Sequence, residues 1–132
     1  MFLVIDIMIQ QQTILKVSDN SGAKTVKCIK VLGGFKKKIA KVGDIIIVTI
    51  KELRDNLPPK CKVKKGQIHK ALIVRTKKVI ENKNHTFTYF NDNAVILLTK
   101  KNRITATRIL GPISKKLKKT DLKFGILSKG FV

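Results

Sequence analysis

Residues 13–32 read TILKVSDNSGAKTVKCIKVL. The β-branched and apolar residues from Thr13 to Val17 predict a strand. The Asp-Asn-Ser-Gly cluster at 19–22 predicts a turn, because Asp and Asn side chains bond to nearby backbone and Gly permits a positive φ. Residues Lys24 to Leu32 predict a second strand. This stretch therefore predicts a strand, a tight turn and another strand.

The second of these strands does not alternate evenly. Val26 and Cys28 are expected on one face, and Ile29 and Val31 on the other. Because successive side chains of a regular strand point to opposite faces, the adjacent pair Cys28 and Ile29 breaks the pattern. We expect a β-bulge near Cys28.

Other short apolar runs flank this region, bounded by Gly, Pro, Asn or Lys. They predict strands at Ile45–Leu53, Ile68–Thr76, Thr86–Phe90 and Ala94–Leu98. Pro58-Pro59 predicts a loop or the tip of a long hairpin, and residues 91–93 (Asn-Asp-Asn) predict a turn. Five or more short strands without βαβ alternation favour an all-β dominated fold, a small barrel.

The C-terminal part carries the first helical pattern. Ile113 and Leu117 are four residues apart and would share one face of a helix at 114–119, whose first residue is a candidate N-cap. A second helical turn is expected at 122–127. Residues 45–50 are apolar at nearly every position, as in strands that are covered on both faces. We expect the C-terminal piece, rather than a partner, to cover the outer face.

The charge balance restricts the function. Lys and Arg number 29 against 8 Asp and Glu, a net charge of +21, while a hydrophobic fraction of 43% is sufficient for a core. Such self-repulsion favours a polyanionic partner, and nucleic acid is the leading one. The apolar runs are strand-sized, so no membrane span is predicted. Residues 1–9 lack the features of a removable leader peptide.

Neither catalysis nor metal binding is expected. The few carboxylates are scattered, and Cys28, Cys61, His69 and His85 lack the spacing of a zinc site. We therefore predict no enzyme activity, no catalytic residue, no metal site and no cofactor. Both cysteines are predicted to be reduced, with Cys28 in the core.

The basic residues cluster in predicted loops and in the terminal helix. Loops that project cations from a rigid barrel suit the phosphate surface of folded RNA, whereas readers of duplex DNA more often present one helix. Tyr89 and Phe90 are candidates for base stacking. However, most of the seven aromatic residues are expected in the core, so this mode of recognition is not predicted.

Ordered blocks of sequence then indicate a family. The blocks are Met8–Thr13, Val17–Ala23, Cys28–Gly34, Val42–Ile46, Lys62–Gly66, Val74–Lys78, Phe90 with Asn93-Ala94, and Thr107–Ile109 with Gly111-Pro112. Together they resemble universal large-subunit ribosomal protein fourteen in its bacterial and organellar form, from about Met8 to Leu127. The resemblance implies a small closed five-stranded β-barrel with projecting hairpin loops and a short C-terminal helical extension. It implies an N-terminal extension at 1–8, an rRNA-binding barrel at 9–112, and the helical extension of the same domain at 113–132.

The same resemblance implies a function. The chain would be a structural constituent of the large ribosomal subunit that binds large-subunit rRNA and contacts neighbouring large-subunit proteins. During translation it would bridge to small-subunit rRNA, and it would offer a docking face to a ribosome-silencing or anti-association factor. The residues expected to bind rRNA are Asn20, Ser21, Lys36, Lys37, Lys38, Lys64, Lys65, Arg75, Lys77, Lys78 and Arg103. Those expected at the bridge and docking face are Thr107, Arg108, Lys115, Lys116, Lys118, Lys119 and Lys123.

Some features depart from the family pattern. Residues 1–7 precede the usual start, the segment 54–60 is longer, His85 replaces a turn glycine, and the tail at 129–132 lacks the usual acidic ending. The more cationic tail most affects the expected docking of a silencing factor.

Composition bears on the source. Lys, Ile and Asn supply 50 of the 132 residues and are encoded by A/T-rich codons. Together with the bacterial-like blocks and the lack of transit-peptide features at residues 1–9, this composition favours an organelle-encoded protein, and we expect a mitochondrial one rather than one of a plastid or of the bacterial cytoplasm. The rival interpretations are a free nucleic-acid-binding barrel regulator, which would need surface aromatics on adjacent strands, and a metal-dependent nuclease, which would need clustered carboxylates.

Overall fold

The computed structural model describes residues 9–34, 38–55, 63–77, 80–81, 85, 87–105, 108–114 and 117. The strands are β1 (Ile14–Val17), β2 (Ala23–Val31), β3 (Ile45–Leu53), β4 (Ile68–Arg75), β5 (Ile80–Glu81), β6 (Phe87–Thr88) and β7 (Ala94–Leu98). Five of them close into a barrel in the order β1-β2-β3-β4-β7, and β5 and β6 form a separate two-stranded sheet. The predicted all-β class and the closed five-stranded barrel are confirmed.

The barrel closes through a parallel contact between β1 and β7, whereas its other neighbouring strands are antiparallel. The Lys16 amide donates to the Asn93 carbonyl at 3.1 Å, and the Ser18 amide donates to the Val95 carbonyl at 2.9 Å. Parallel pairing is slightly weaker per residue than antiparallel pairing, and this parallel contact is short. The closure therefore needs support from outside the ladder.

Asp19 supplies that support. Its side chain is fully buried, and its Oδ2 accepts a hydrogen bond from the Leu97 amide at 2.9 Å. Its Oδ1 accepts from the amide and the hydroxyl of Ser21. The Asp19 carboxylate thus provides an acceptor for a β7 amide beyond the end of β1. It also holds the turn through its hydrogen bonds to Ser21. The turn predicted at 19–22 is present, with Gly22 at a φ of +106°.

Apolar side chains form two clusters. The barrel interior is aliphatic and includes Ile46, Val48 and Ile50 of β3. The second cluster lies outside the barrel, where Ile113 and Leu117 pack with outward-facing residues of β4 and β7. Burial of such side chains is the main favourable term in folding, at about 25 cal/mol per Å².

The expected cover over β3 extends only to its beginning. Ile45 packs against the second cluster, which contains Leu117. Ile47 and Thr49, further along the same outer face, are half-buried. The apolar run at 45–50 is therefore covered on both faces at its start and remains partly open beyond it.

The register of β2 confirms the predicted bulge, since it shifts between Cys28 and Lys30. The expected face of Val31 was wrong: Val31 is buried in the barrel interior with Val26 and Cys28, whereas Ile29 is 42% exposed. The shift reverses the alternation of the strand after Cys28. Burial raises the pKa of the Cys28 thiol, which favours the protonated form.

The segment 91–93 connects two sheets and does not form a hairpin. β6 pairs with β5, through Ile80 opposite Thr88, and β7 pairs with β4 and β1. The Asn93 side chain accepts a hydrogen bond from the Lys77 amide at 2.8 Å. Among the described residues 87–90 of the predicted strand, only the two residues of β6 are in a strand.

The predicted C-terminal helices lie almost entirely outside the described residues. Within the described part, Leu117 is buried and its amide donates to the Ser114 carbonyl at 3.1 Å. The predicted N-terminal extension at 1–8 also lies outside that part, while Ile9 belongs to the barrel interior. No helix among the described residues is long and apolar enough to cross a membrane.

Replacing Asp19 with Ala is expected to destabilise the free protein by about 2–4 kcal/mol, because the buried amides of Leu97 and Ser21 lose their acceptor. Urea unfolding measures this change. The matched control is Asp55→Ala, which removes an exposed carboxylate and should change stability by about 0.5 kcal/mol or less. Equal effects of the two substitutions would show that Asp19 does not support barrel closure.

Candidate nucleic-acid interface

The first turn is bonded to the segment 108–110. The Asn20 Oδ1 accepts a hydrogen bond from the Arg108 amide at 3.0 Å, and the Leu110 amide donates to the Ser18 carbonyl. Asp19 and Ile109 form an isolated β-bridge between the same segments. Asn20, predicted to bind rRNA, and Arg108, predicted at the bridge, are both exposed and lie side by side. The two predicted surfaces therefore meet at this turn.

Ser21 faces inward. It is only 8% exposed, and its hydroxyl donates to Asp19. Arg54, which the sequence argument did not select, lies at the same end of the barrel. Its guanidinium donates to the Val17 carbonyl at 3.0 Å, and its amide donates to the Gly22 carbonyl at 2.8 Å. Ser21 thus shapes the turn, and Arg54 adds a cation beside it.

The turn before β4 presents two predicted rRNA-binding lysines. Lys64 and Lys65 are exposed. The Lys64 amide donates to the Gln67 Oε1 at 3.0 Å, and the Gly66 amide donates to the Ile50 carbonyl at 2.9 Å. Gly66 has a φ of +86°, a conformation that glycine adopts without steric cost. The backbone of this turn is therefore held while both ammonium groups face solvent.

A second cationic turn follows β7. The Thr99 amide donates to the Arg103 carbonyl at 2.7 Å, and the Arg103 amide donates to the Thr99 Oγ1 at 3.2 Å. Lys100, Lys101 and Arg103 are exposed on it. Asn102 adopts a φ of +62°, which Asn tolerates better than most residues. Of these cations, only Arg103 is in the predicted rRNA-binding set.

The barrel wall carries further lysines that the sequence argument missed. They lie on β1 to β4: Lys16, Lys24, Lys27, Lys30, Lys51 and Lys70. The sequence signal for these lysines is their alternation with apolar residues, as in Leu15, Lys16 and Val17. Lys24 lies 4.0 Å from Glu52 with both side chains exposed, and such a pair contributes little to stability.

Arg75 is largely enclosed. Its side chain is 14% exposed, and its Nε lies 3.4 Å from the Asp92 carboxylate, a distance that suits an ion pair but is long for a hydrogen bond. Gly111 has a φ of +80°, and a Cβ there would lie 2.5 Å from an Arg75 guanidinium nitrogen. Arg75 therefore packs closely against the backbone of the 108–114 segment.

Two other predicted rRNA-binding residues, Lys38 and Lys77, are exposed. The remaining predicted site residues lie outside the described part of the chain: Lys36, Lys37, Lys78, Thr107, Lys115, Lys116, Lys118, Lys119 and Lys123.

The expectation that most aromatic residues lie in the core does not hold for those that the structure describes. Phe87 is 66% exposed and Tyr89 is 64% exposed, while Phe90 is half-buried. The interior needs none of them, because branched aliphatic side chains fill it. Phe87 and Tyr89 are therefore available at the surface for base stacking.

Metal-ligating residues are dispersed in the described part of the chain, where no group of three or more His, Cys, Asp or Glu could hold an ion. The His69 ring lies 3.1 Å from the Gln67 Oε1. Burial lowers the pKa of His69, which favours the neutral ring. It lines an open groove of about 400 Å³ whose aliphatic residues are Ile47, Ile68 and Leu98.

The sequence matches the family model of Ribosomal protein L14p/L23e over residues 8–129, all but the first seven and the last three residues. The match spans the whole barrel, both cationic turns and the segment 108–110. The resemblance predicted from the sequence is thereby confirmed. The chain belongs to the Ribosomal protein L14p/L23e family and is a structural protein of the large ribosomal subunit.

Proposed function

We propose that the barrel binds large-subunit rRNA by shape and phosphate recognition. The observation that carries the proposal is the exposure of cations on turns whose backbone is held by hydrogen bonds, among them 64–67 and 99–103. Because the backbone of each turn is already hydrogen-bonded, less conformational freedom is lost when the cations meet phosphate. Few exposed carboxylates compete for them, in line with the net charge of +21.

The proposed rRNA contacts are the exposed members of the predicted set, together with those outside the described residues. They are Asn20, Lys36, Lys37, Lys38, Lys64, Lys65, Lys77, Lys78 and Arg103. Ser21 and Arg75 belong to the predicted set, but we assign them a structural role. Ser21 donates a hydrogen bond to Asp19, and Arg75 packs against Gly111. They place the contact residues without offering much of their own surface.

We also propose that Arg108 contributes to a bridge with small-subunit rRNA. Its side chain is exposed while its amide is held by Asn20, so the charge is presented from a fixed backbone. Thr107 and the lysines at 115, 116, 118, 119 and 123 would extend this face, which a ribosome-silencing factor would also use. We also propose that the protein belongs to mitochondrial ribosomes, as the bacterial-like sequence blocks and the composition of the chain suggest. The proposed domain division is an N-terminal extension at 1–8, an rRNA-binding barrel at 9–112 and a helical extension at 113–132.

Removing charge from the turn before β4 should weaken RNA binding in a salt-dependent way. For Lys64→Gln/Lys65→Gln, the slope of log affinity against log salt should fall by about 1.4–1.8, since each phosphate contact contributes about 0.7–0.9. The measurement is a filter-binding titration of large-subunit rRNA at several salt concentrations. The control Lys24→Gln/Lys51→Gln removes equal charge from the barrel wall. An equal loss of slope in the control would show that binding is spread over the surface and not concentrated on the turns.

Reversing the charge of Arg108 should impair the joining of subunits. We expect Arg108→Glu protein to enter large subunits, purified from mitochondria by sedimentation, and those subunits to associate less with small subunits in a sucrose gradient. The matched control is Arg103→Glu, the same charge change on a turn assigned to large-subunit rRNA. Normal joining by Arg108→Glu subunits would remove Arg108 from the bridge. Recovery of the native protein only in low-mass fractions would contradict the proposed function as a whole.

A further inference from the structure

Two large exposed aromatic side chains lie on and directly after β6. Phe87 and Tyr89 are both about two-thirds exposed, whereas the residues that fill the barrel are almost completely buried. Burying a Phe or Tyr ring removes about 150–250 Å² from water, so two solvent-exposed rings forgo a large gain in free energy. Neighbouring exposed apolar groups of this size mark a binding surface.

The spacing of the two rings fits nucleobases. Phe87 begins β6, Tyr89 directly follows the strand, and both are exposed; residues two apart along an extended backbone are separated by about 7 Å. This is about twice the rise of about 3.4 Å between stacked bases. One base between the rings, or one on each ring, is therefore compatible with the backbone. Aromatic residues that stack bases from a sheet surface are a common means of binding unpaired RNA.

A lysine near Tyr89 favours RNA as the occupant, while Glu81 lies opposite Phe87 in the register of β5 and β6. The Phe90 amide donates to the Thr76 carbonyl at 3.2 Å, which ties the chain after β6 to the end of β4. The next residue along from Thr76 is the exposed Lys77, whose amide is held by Asn93. The hydrogen bond from Phe90 to Thr76 joins the Tyr89–Phe90 and Thr76–Lys77 peptide units, so the fixed backbone of Lys77 lies close in space to that of Tyr89. An aromatic pair beside such a cation suits a base with its phosphate.

We propose that Phe87 and Tyr89 form a stacking platform for unpaired nucleobases of ribosomal RNA. This inference rests on the proposed rRNA binding and extends it, because the platform would recognise bases that phosphate contacts do not distinguish. RNA in paired helices would not use it, since its bases are already stacked on each other.

The composition of the chain provides a direct reporter. Tyr89 is the single Tyr and there is no Trp, so tyrosine fluorescence of the full-length protein comes from this residue. A single-stranded RNA oligonucleotide should quench the fluorescence. Two controls with the same number of phosphates, a duplex and an abasic strand, should bind through charge and quench much less. Equal quenching by the abasic strand would overturn the proposal.

Substitutions separate stacking from charge. Phe87→Leu and Tyr89→Leu keep an apolar side chain but remove the ring, and each should weaken binding of the single strand about tenfold while leaving the abasic strand unaffected. The control is Ile68→Ala, which alters an equally exposed apolar residue on β4. A loss no greater than that of Ile68→Ala would overturn the platform.

Cross-linking in intact large subunits distinguishes an rRNA base from another protein as the occupant of the platform. Ultraviolet cross-linking followed by mass spectrometry should recover a nucleotide adduct on Phe87 or Tyr89. A cross-link from these residues to another protein, or no cross-link, would overturn the proposal. Sedimentation with large subunits and salt-dependent rRNA binding would persist in that case, so failure of the platform is distinguishable from failure of the proposed function.

Discussion

The barrel closes where β1 and β7 meet, and the buried carboxylate of Asp19 supplies the acceptor for Leu97 that the backbone of β1 no longer offers. A buried charge is costly unless hydrogen bonds satisfy it, and Asp19 accepts from two amides and a hydroxyl. The same turn binds residues 108–110 through Asn20 and Ser18. Closure of the scaffold and placement of Arg108 therefore depend on one short segment.

Local pattern was sufficient for most of the strands. The predicted bounds of β3 and β7 agree with the structure, because β7 is a continuous apolar run, β3 begins with one, and turn residues precede both. The bond between Asp19 and Leu97 joins residues 78 positions apart, and no local pattern encodes that pairing. The face of Val31 was missed for a different reason: the register shift after Cys28 reverses the alternation on which the prediction depended.

The cationic surface was predictable in kind but not in detail. Net charge indicated a polyanion, and exposure of Lys64, Lys65 and Arg103 agrees with it. The sequence could not distinguish a cation that faces solvent from one, such as Arg75, that is enclosed by Asp92 and Gly111. It also could not show that an aliphatic interior leaves Phe87 and Tyr89 outside, because that depends on how the whole barrel is filled.

A barrel that pairs all five of its strands in a ring leaves no free strand edge on that sheet. Unpaired edges are the usual templates for aggregation, and closure removes them. A newly synthesised copy must persist in solution until a nascent subunit incorporates it. Closure of the sheet, together with mutual repulsion between highly charged copies, protects the protein from self-association during that interval.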